Sequence, residues 1–171
     1  YTPGSTFKLV TATAALQDGL WPVDKYYNDT GSFKIPGCPA AGVVSTQGCV
    51  LSDNPGDGTG EYNISGALTV SSDSFFYNLG DMFWTARGQY GDTPIQNEDT
   101  AYGEGTITGI DLPGEAQGRL DGYLTRAKLH AEAPKAFPYA GSWYTGDNIE
   151  MAFGQGETVL TPIEQAVAYS T

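Results

Sequence analysis

A serine and a lysine three residues apart stand at the start of the chain, in the run Tyr1-Thr2-Pro3-Gly4-Ser5-Thr6-Phe7-Lys8. On a helix, Ser5 and Lys8 would share a face one turn apart. A serine hydroxyl attacks poorly unless a base takes its proton, and a neutral amine one turn away can do so. A lysine buried near a helix N-terminus is in a setting that favours the neutral amine. The Ser5 backbone N–H, in the first helical turn, has no acceptor inside the helix and can point at a developing oxyanion. The spacing thus offers a nucleophile, a base and half an oxyanion hole. A solvated helix face gives the same spacing, but Pro-Gly before Ser5 and an apolar segment after Lys8 argue for burial, where either side chain needs a partner.

Ser71-Ser72-Asp73 is the second constellation. A hydroxyl at Ser71 could pass a proton between Lys8 and a leaving amine, and the Asp73 carboxylate could bond Lys8 or a substrate amide. Ordinary helix capping by Ser71 or Asp73 fits the same residues. His130, the only histidine, reads as a solvated residue of a polar helix. The acidic stretches Asp53 to Asp57 and Glu98 to Asp99 read as solvated loops, since neither has the spaced ligand set of a calcium site. Trp143 and Tyr144 read as packing under a loop, with a substrate groove as the alternative. Cys38 and Cys49 lie in a Gly/Pro/Ser-rich stretch and suit a disulfide in an oxidising compartment. Two cysteines and one histidine cannot complete a four-ligand zinc site, so no structural metal is expected, and the chemistry needs no cofactor.

These groups must be positioned by a domain of 171 residues, enough for one sizeable core or a piece of a larger one. A formal charge of -12 with eight Lys plus Arg would repel a phosphate backbone, which makes nucleic acid an unfavourable partner. No apolar run is long enough for a bilayer span, and no basic-then-apolar leader opens the chain. Any anchor is expected outside these residues. Thr6 to Gln17, closed by Asp18-Gly19, reads as a largely buried helix. Ser32 to Ile35 suits a short strand, and Pro36 to Gly60 a long loop or insertion. Tyr62 to Ala86 carries two apolar stripes parted at Ser71 to Ser74. Thr108 to Glu115 reads as a loop, Tyr123 to Glu132 as a helix, and Gly154-Gln155-Gly156 as a turn. Thr161, Pro162 and Glu164 spell a capping box, with Ile163, Ala166 and Val167 as the expected buried face. Both ends look cut, the last inside a helix.

Together these residues resemble the transpeptidase domain of penicillin-binding proteins. Tyr1-x-Pro3-Gly4-Ser5-Thr6-Phe7-Lys8 is similar to the family's first active-site motif, of the S-x-x-K type. Ser71-x-Asp73 before Phe75-Phe76-Tyr77 is similar to the second, with Asp where Asn is usual, a variation that resembles the class B enzymes of cell elongation. Thr108 to Glu115, Trp143-Tyr144-x-Gly146-Asp147, and Gly154-Gln155-Gly156 with Thr161-Pro162 resemble further segments in the same order. The resemblance covers nearly the whole chain and is weakest from Pro36 to Gly60.

It implies an α+β, β-lactamase/transpeptidase-like fold with helices on an antiparallel sheet, the whole chain being part of one such domain. It implies a D,D-transpeptidase that cross-links peptidoglycan stem peptides through an acyl-enzyme on Ser5, with Lys8 and Ser71 catalytic and Asp73 substrate-binding. β-Lactam antibiotics would acylate the same serine. Membrane proteins of the elongation or division machinery are the implied partners, and the outer face of the cytoplasmic membrane the implied location. The third motif, K-T/S-G, is absent: Lys25, Lys34, Lys128 and Lys135 are not followed by it. The chain by itself is therefore expected to lack half the oxyanion hole. A serine β-lactamase is the rival enzyme, disfavoured because no E-x-x-L-N pattern is present. A non-catalytic β-lactam sensor or a cell-wall scaffold of the same fold is the rival outside catalysis.

Overall fold

The computed structural model describes residues 1–39, 48–138 and 141–171. In chain order, a 3-10 turn at Gly4–Phe7 runs into α1 (Lys8–Gln17), followed by β1 (Tyr27–Asp29), β2 (Ser32–Lys34), β3 (Val50–Ser52) and β4 (Gly60–Tyr62). Then come α2 (Ile64–Val70), α3 (Asp73–Thr85), α4 (Arg87–Tyr90), α5 (Pro94–Ala101), α6 (Tyr123–Glu132), α7 (Thr145–Ala152) and α8 (Pro162–Ala168). The class is α+β, as expected. Among the described residues the sheet content is two antiparallel pairs, β1 with β4 and β2 with β3. The core itself is helix on helix.

α3 is its centre. Phe75, Phe76, Leu79 and Phe83 are fully or almost fully buried on it, and α1 and α7 pack against it. Two aromatic neighbours, Trp21 and Tyr27, meet Phe75 edge-on at 5.3 and 5.8 Å between ring centres. Gly80 lets α7 approach: a Cβ there would lie 2.8 Å from Ile149 Cα and 2.9 Å from Ala152 Cβ. Asn148 then donates its side-chain N–H to the Gly80 carbonyl at 2.8 Å, so the contact is both close and specific.

The described part of the stretch from Pro36 to Gly60 is not all loop. It holds β3, which returns against β2 with Leu51 opposite Phe33, and it ends at the start of β4. Residues 40–47 lie outside the described part. Cys38 and Cys49 are joined by a disulfide across a separation of 11 residues, closing that excursion. Closing a loop of this length contributes about 2 to 3 kcal/mol by the chain-entropy model.

Three expectations need correction. In α8 the capping box forms, with Glu164 accepting from Thr161 N–H at 2.7 Å, but the buried side chains are Glu164, Gln165 and Ala168. Ala166 and Val167 face outward. The helix is turned by its polar bonds: Glu164 also takes the Gly118 N–H at 2.7 Å, and Gln165 donates to Thr6 Oγ1 at 2.6 Å. Glu98 and Asp99 lie in α5 rather than in a solvated loop, and Asp99 is fully buried because α5 packs along α1. Asp53 is likewise half-buried rather than solvated, being drawn onto the start of α3.

Asp99 faces Glu104, itself 2% exposed. Neither Asp99 oxygen has a hydrogen-bond partner among the described residues, and a bond between the two neighbouring carboxyls would need a shared proton. Burial, then Glu104, push Asp99 up from 3.8 to about 10. An acid raised on folding supports the native state fully below its unfolded pKa, and that support is lost as pH rises toward the folded value. Asp99→Asn should therefore raise the melting temperature at pH 8 more than at pH 4, measured by calorimetry. Thiol titration of the unreduced protein should find neither cysteine free.

Candidate active site

Ser5 sits in the 3-10 turn that leads into α1, and it is exposed. The turn begins with Gly4 in the left-handed region at φ 61°, a conformation that glycine adopts without a Cβ clash. The far end of the chain holds this turn in place. Gly4 N–H donates to the Gly154 carbonyl at 2.8 Å, and Tyr1 and Leu160 exchange backbone bonds at 2.9 Å. Tyr169 donates its hydroxyl to the Thr6 carbonyl at 2.8 Å, and Gln165 bonds both Thr6 and Tyr1. Gly154 has to be glycine here: a Cβ would fall 2.0 Å from the Gly4 carbonyl oxygen.

Lys8, one turn on, is 1% exposed. Its ammonium donates to the Ser71 carbonyl at 2.6 Å, to Ser71 Oγ at 3.1 Å and to Asp73 Oδ1 at 2.5 Å. The Phe76 ring lies beside it, 5.5 Å from Nζ to the ring centre. All three N–H groups of the amine thus have partners, as burial of a charge requires.

Ser71 reaches Lys8 with both oxygens because its backbone is left-handed, at φ 58° and ψ 35°. Among the described residues it is the only non-glycine with positive φ. That conformation costs a non-glycine residue about 1 to 2 kcal/mol, and the two bonds from Lys8 help to hold it. Ser72, not Ser71 or Asp73, is the side-chain cap of α3: it accepts from Phe75 N–H at 3.0 Å and donates to Asp29. Asp73 is the first residue of α3, where a carboxylate is favoured by the helix dipole. Its second oxygen accepts from Asn54 at 2.7 Å. With both oxygens committed inside the protein and 2% exposure, Asp73 is placed to orient Lys8 more than to meet a substrate.

The long excursion after β2 contributes two residues that pattern reading did not single out for chemistry. Asp53 accepts from Ser74 N–H at 2.8 Å and also from the Ser74 hydroxyl. Its neighbour Asn54 thereby reaches Asp73. Burial pushes Asp53 up to about 6; the Ser74 bonds oppose this, and the Asp29 carboxylate adds to it. No local motif marks Asn54, because its role depends on the fold of the loop.

Ser5 and Asp73 line one cleft of about 440 Å³ with Asn54, Tyr77, Glu150 and Phe153, closed by Gln155 and Gly156. Burial and the Asp73 carboxylate keep the Tyr77 phenol protonated, and its hydroxyl donates to the Ser52 carbonyl at 3.3 Å. His130 lies elsewhere, with Nδ1 2.7 Å from the Phe137 carbonyl. Trp143 is half-buried under the Arg126 guanidinium, 4.8 Å from ring centre to carbon, whereas Tyr144 is largely exposed.

A model of the penicillin binding protein transpeptidase domain matches residues 1–171. The chain belongs to that family. Among curated relatives, the peptidoglycan D,D-transpeptidase MrdA of Salmonella typhimurium is 28% identical over 168 residues, covering 98% of this chain and 23% of the relative. The chain thus spans about a quarter of the length of such relatives. Among solved structures, Pseudomonas aeruginosa PBP2 in complex with WCK 5153 superposes with a TM-score of 0.74 at 24% identity, over 98% of this chain and 32% of that one. A Helicobacter pylori complex of PBP2 and MreC gives 0.73 at 22%, over 96% and 26%. These likenesses establish the β-lactamase/transpeptidase-like fold.

Removing one partner of a buried ion pair leaves the other uncompensated, typically at about 3 to 5 kcal/mol. Asp73→Ala should destabilise by about that amount in urea denaturation. Combining it with Lys8→Met should recover much of the loss, and strictly additive losses would show that the pair is not coupled.

Proposed function

We propose that the protein carrying this chain is a peptidoglycan D,D-transpeptidase acting through an acyl-enzyme on Ser5. The observation that carries the reading is the pairing of Lys8 with Ser71 Oγ and Asp73, one turn from an exposed Ser5 at the edge of a cleft. Family membership and the MrdA relatives support the same reaction class.

In this reading Ser5 Oγ attacks the carbonyl carbon of the penultimate D-Ala of a stem peptide. Its proton goes to the Lys8 amine once that amine is neutral, and the Lys8–Ser71 bond offers a path for the proton to the departing nitrogen. The C–N bond breaks, terminal D-Ala leaves as an amine, and an ester joins the donor peptide to Ser5. A neighbouring stem amine then attacks the ester and restores the serine. Asp73 acts by holding Lys8, and Asn54 by holding Asp73. The Ser5 backbone N–H supplies one oxyanion donor; the second is assigned to a K-T/S-G strand not represented in these residues. The 171 residues alone are accordingly taken to be one part of a domain, insufficient for turnover.

β-Lactams are proposed to acylate the same serine. A role in cell elongation, a membrane anchor, an extracytoplasmic location and a partner of the MreC kind are likewise proposed, with the MrdA and PBP2–MreC likenesses as support. No helix among the described residues is long and apolar enough to cross a membrane.

Labelled penicillin incubated with the full-length protein, followed by peptide mass mapping, should place the adduct on Ser5. Ser5→Ala should abolish it. Rapid release of hydrolysed penicillin by the wild type would favour a β-lactamase, and acylation without processing of a D-Ala-D-Ala peptide would favour a sensor.

A further inference from the structure

A second groove of about 410 Å³ adjoins the Ser5 cleft, and the two share Glu150 and Gly156 as lining residues. Its other walls are Arg126, Asp147 and Glu157 with the stretch from Ala136 to Pro138. The charges in it do not cancel. Arg126 is engaged twice, with Asp121 at 2.8 Å and Asp147 at 2.5 Å, so its fork is already filled. Glu157 has only a long contact to Arg119, at 3.5 Å. Glu150 is exposed and has no ion-pair partner among the described residues, although it stands where the groove meets the cleft. Desolvation by the groove walls, then the neighbouring Asp147, raise its affinity for a proton, and Arg126 acts in the opposite direction.

We infer that Glu150 is the docking residue for the positively charged amine of the acceptor, the groove being the path by which it reaches the acyl-enzyme. The inference rests on the transpeptidase reading. Once the donor occupies the Ser5 cleft as an ester, the second substrate needs another approach to the same carbonyl carbon, and this groove opens at the cleft. The acceptor arrives as an ammonium. One of its protons passes to the Glu150 carboxylate and on to solvent. The freed lone pair forms the new C–N bond as the ester C–O bond breaks, and a second proton of the nitrogen returns to Ser5 Oγ. The balance is ester plus ammonium giving amide, serine and one proton.

The test compares two nucleophiles on one enzyme. Full-length wild type and Glu150→Gln are acylated with a D-Ala-D-Ala-ended peptide. Each is then offered Nα-acetyl-lysinamide, whose side-chain amine is charged at neutral pH, or hydroxylamine, which is uncharged there. Capture by the lysine amide relative to hydroxylamine should fall about five- to tenfold in the variant, in line with loss of a partly desolvated charge contact and proton acceptor. An unchanged ratio overturns the inference, whether both captures fall together or neither falls. A loss confined to formation of the acyl-enzyme would put Glu150 on the donor and overturn it too. If the wild type forms no acyl-enzyme, the transpeptidase reading fails and this inference falls with it, a result distinct from an altered capture ratio.

Discussion

Burying the Lys8 ammonium is the constraint around which the site is organised. A lone ammonium at 1% exposure would carry a desolvation penalty of several kcal/mol, so the surrounding chain has to bring acceptors to it. It does so from one short junction: the Ser71 carbonyl, the Ser71 hydroxyl and the Asp73 carboxylate. To present all of these, Ser71 takes a left-handed backbone between α2 and α3, and α3 starts at once with Asp73. The junction therefore cannot be moved without exposing or orphaning the lysine. Because Lys8 begins α1, the same bonds fix α1 against α3 and set where the preceding serine turn lies.

That turn is held from its other side by backbone more than by side chains. Gly154 meets the Gly4 carbonyl so closely that no Cβ fits, and the following segment pairs with Tyr1 before α8 reaches back to Thr6. Ser5 is thus exposed on a support whose neighbours are bonded, which is how an accessible nucleophile can stay ordered. The polar bonds of Glu164 and Gln165 explain why α8 buries these residues and leaves Val167 outward. An uncommitted carboxylate and amide at those positions would have allowed the apolar face to turn in.

How far the sequence revealed this depends on whether a signal was local. Ser5 and Lys8 are one helical turn apart, Ser71 to Asp73 interrupt two apolar stripes, and the α8 capping box is spelled by three residues; each could be read from its spacing. The α+β class came with the family resemblance. α7 has no such local signal because Thr145-Gly146-Asp147-Asn148 are turn formers, and helical structure there depends on packing against Gly80. Asn54 and Asp53 sit in a stretch whose composition says only loop; β3 and the start of α3 give them their partners. Asp99 reads in sequence as one of a pair of solvated acids, and only the packing of α5 on α1 shows it to be buried.

The distribution of acids follows from the same local problem. Three carboxylates, Asp29, Asp53 and Asp73, gather at the start of α3, yet among the described residues Lys8 is the only lysine or arginine bonded there. One cation cannot neutralise all of them. Asp73 takes the direct ion pair, Asp29 and Asp53 accept from serine hydroxyls, and the dipole of the thirteen-residue α3 favours negative charge at its start. The remaining imbalance appears at Asp53, whose raised proton affinity reflects both burial and Asp29. A further lysine would relieve that imbalance but would compete with Lys8 for Asp73. The surplus of acid is therefore compatible with keeping the Lys8–Asp73 pairing unique, and a unique pairing is what holds the amine one turn from Ser5.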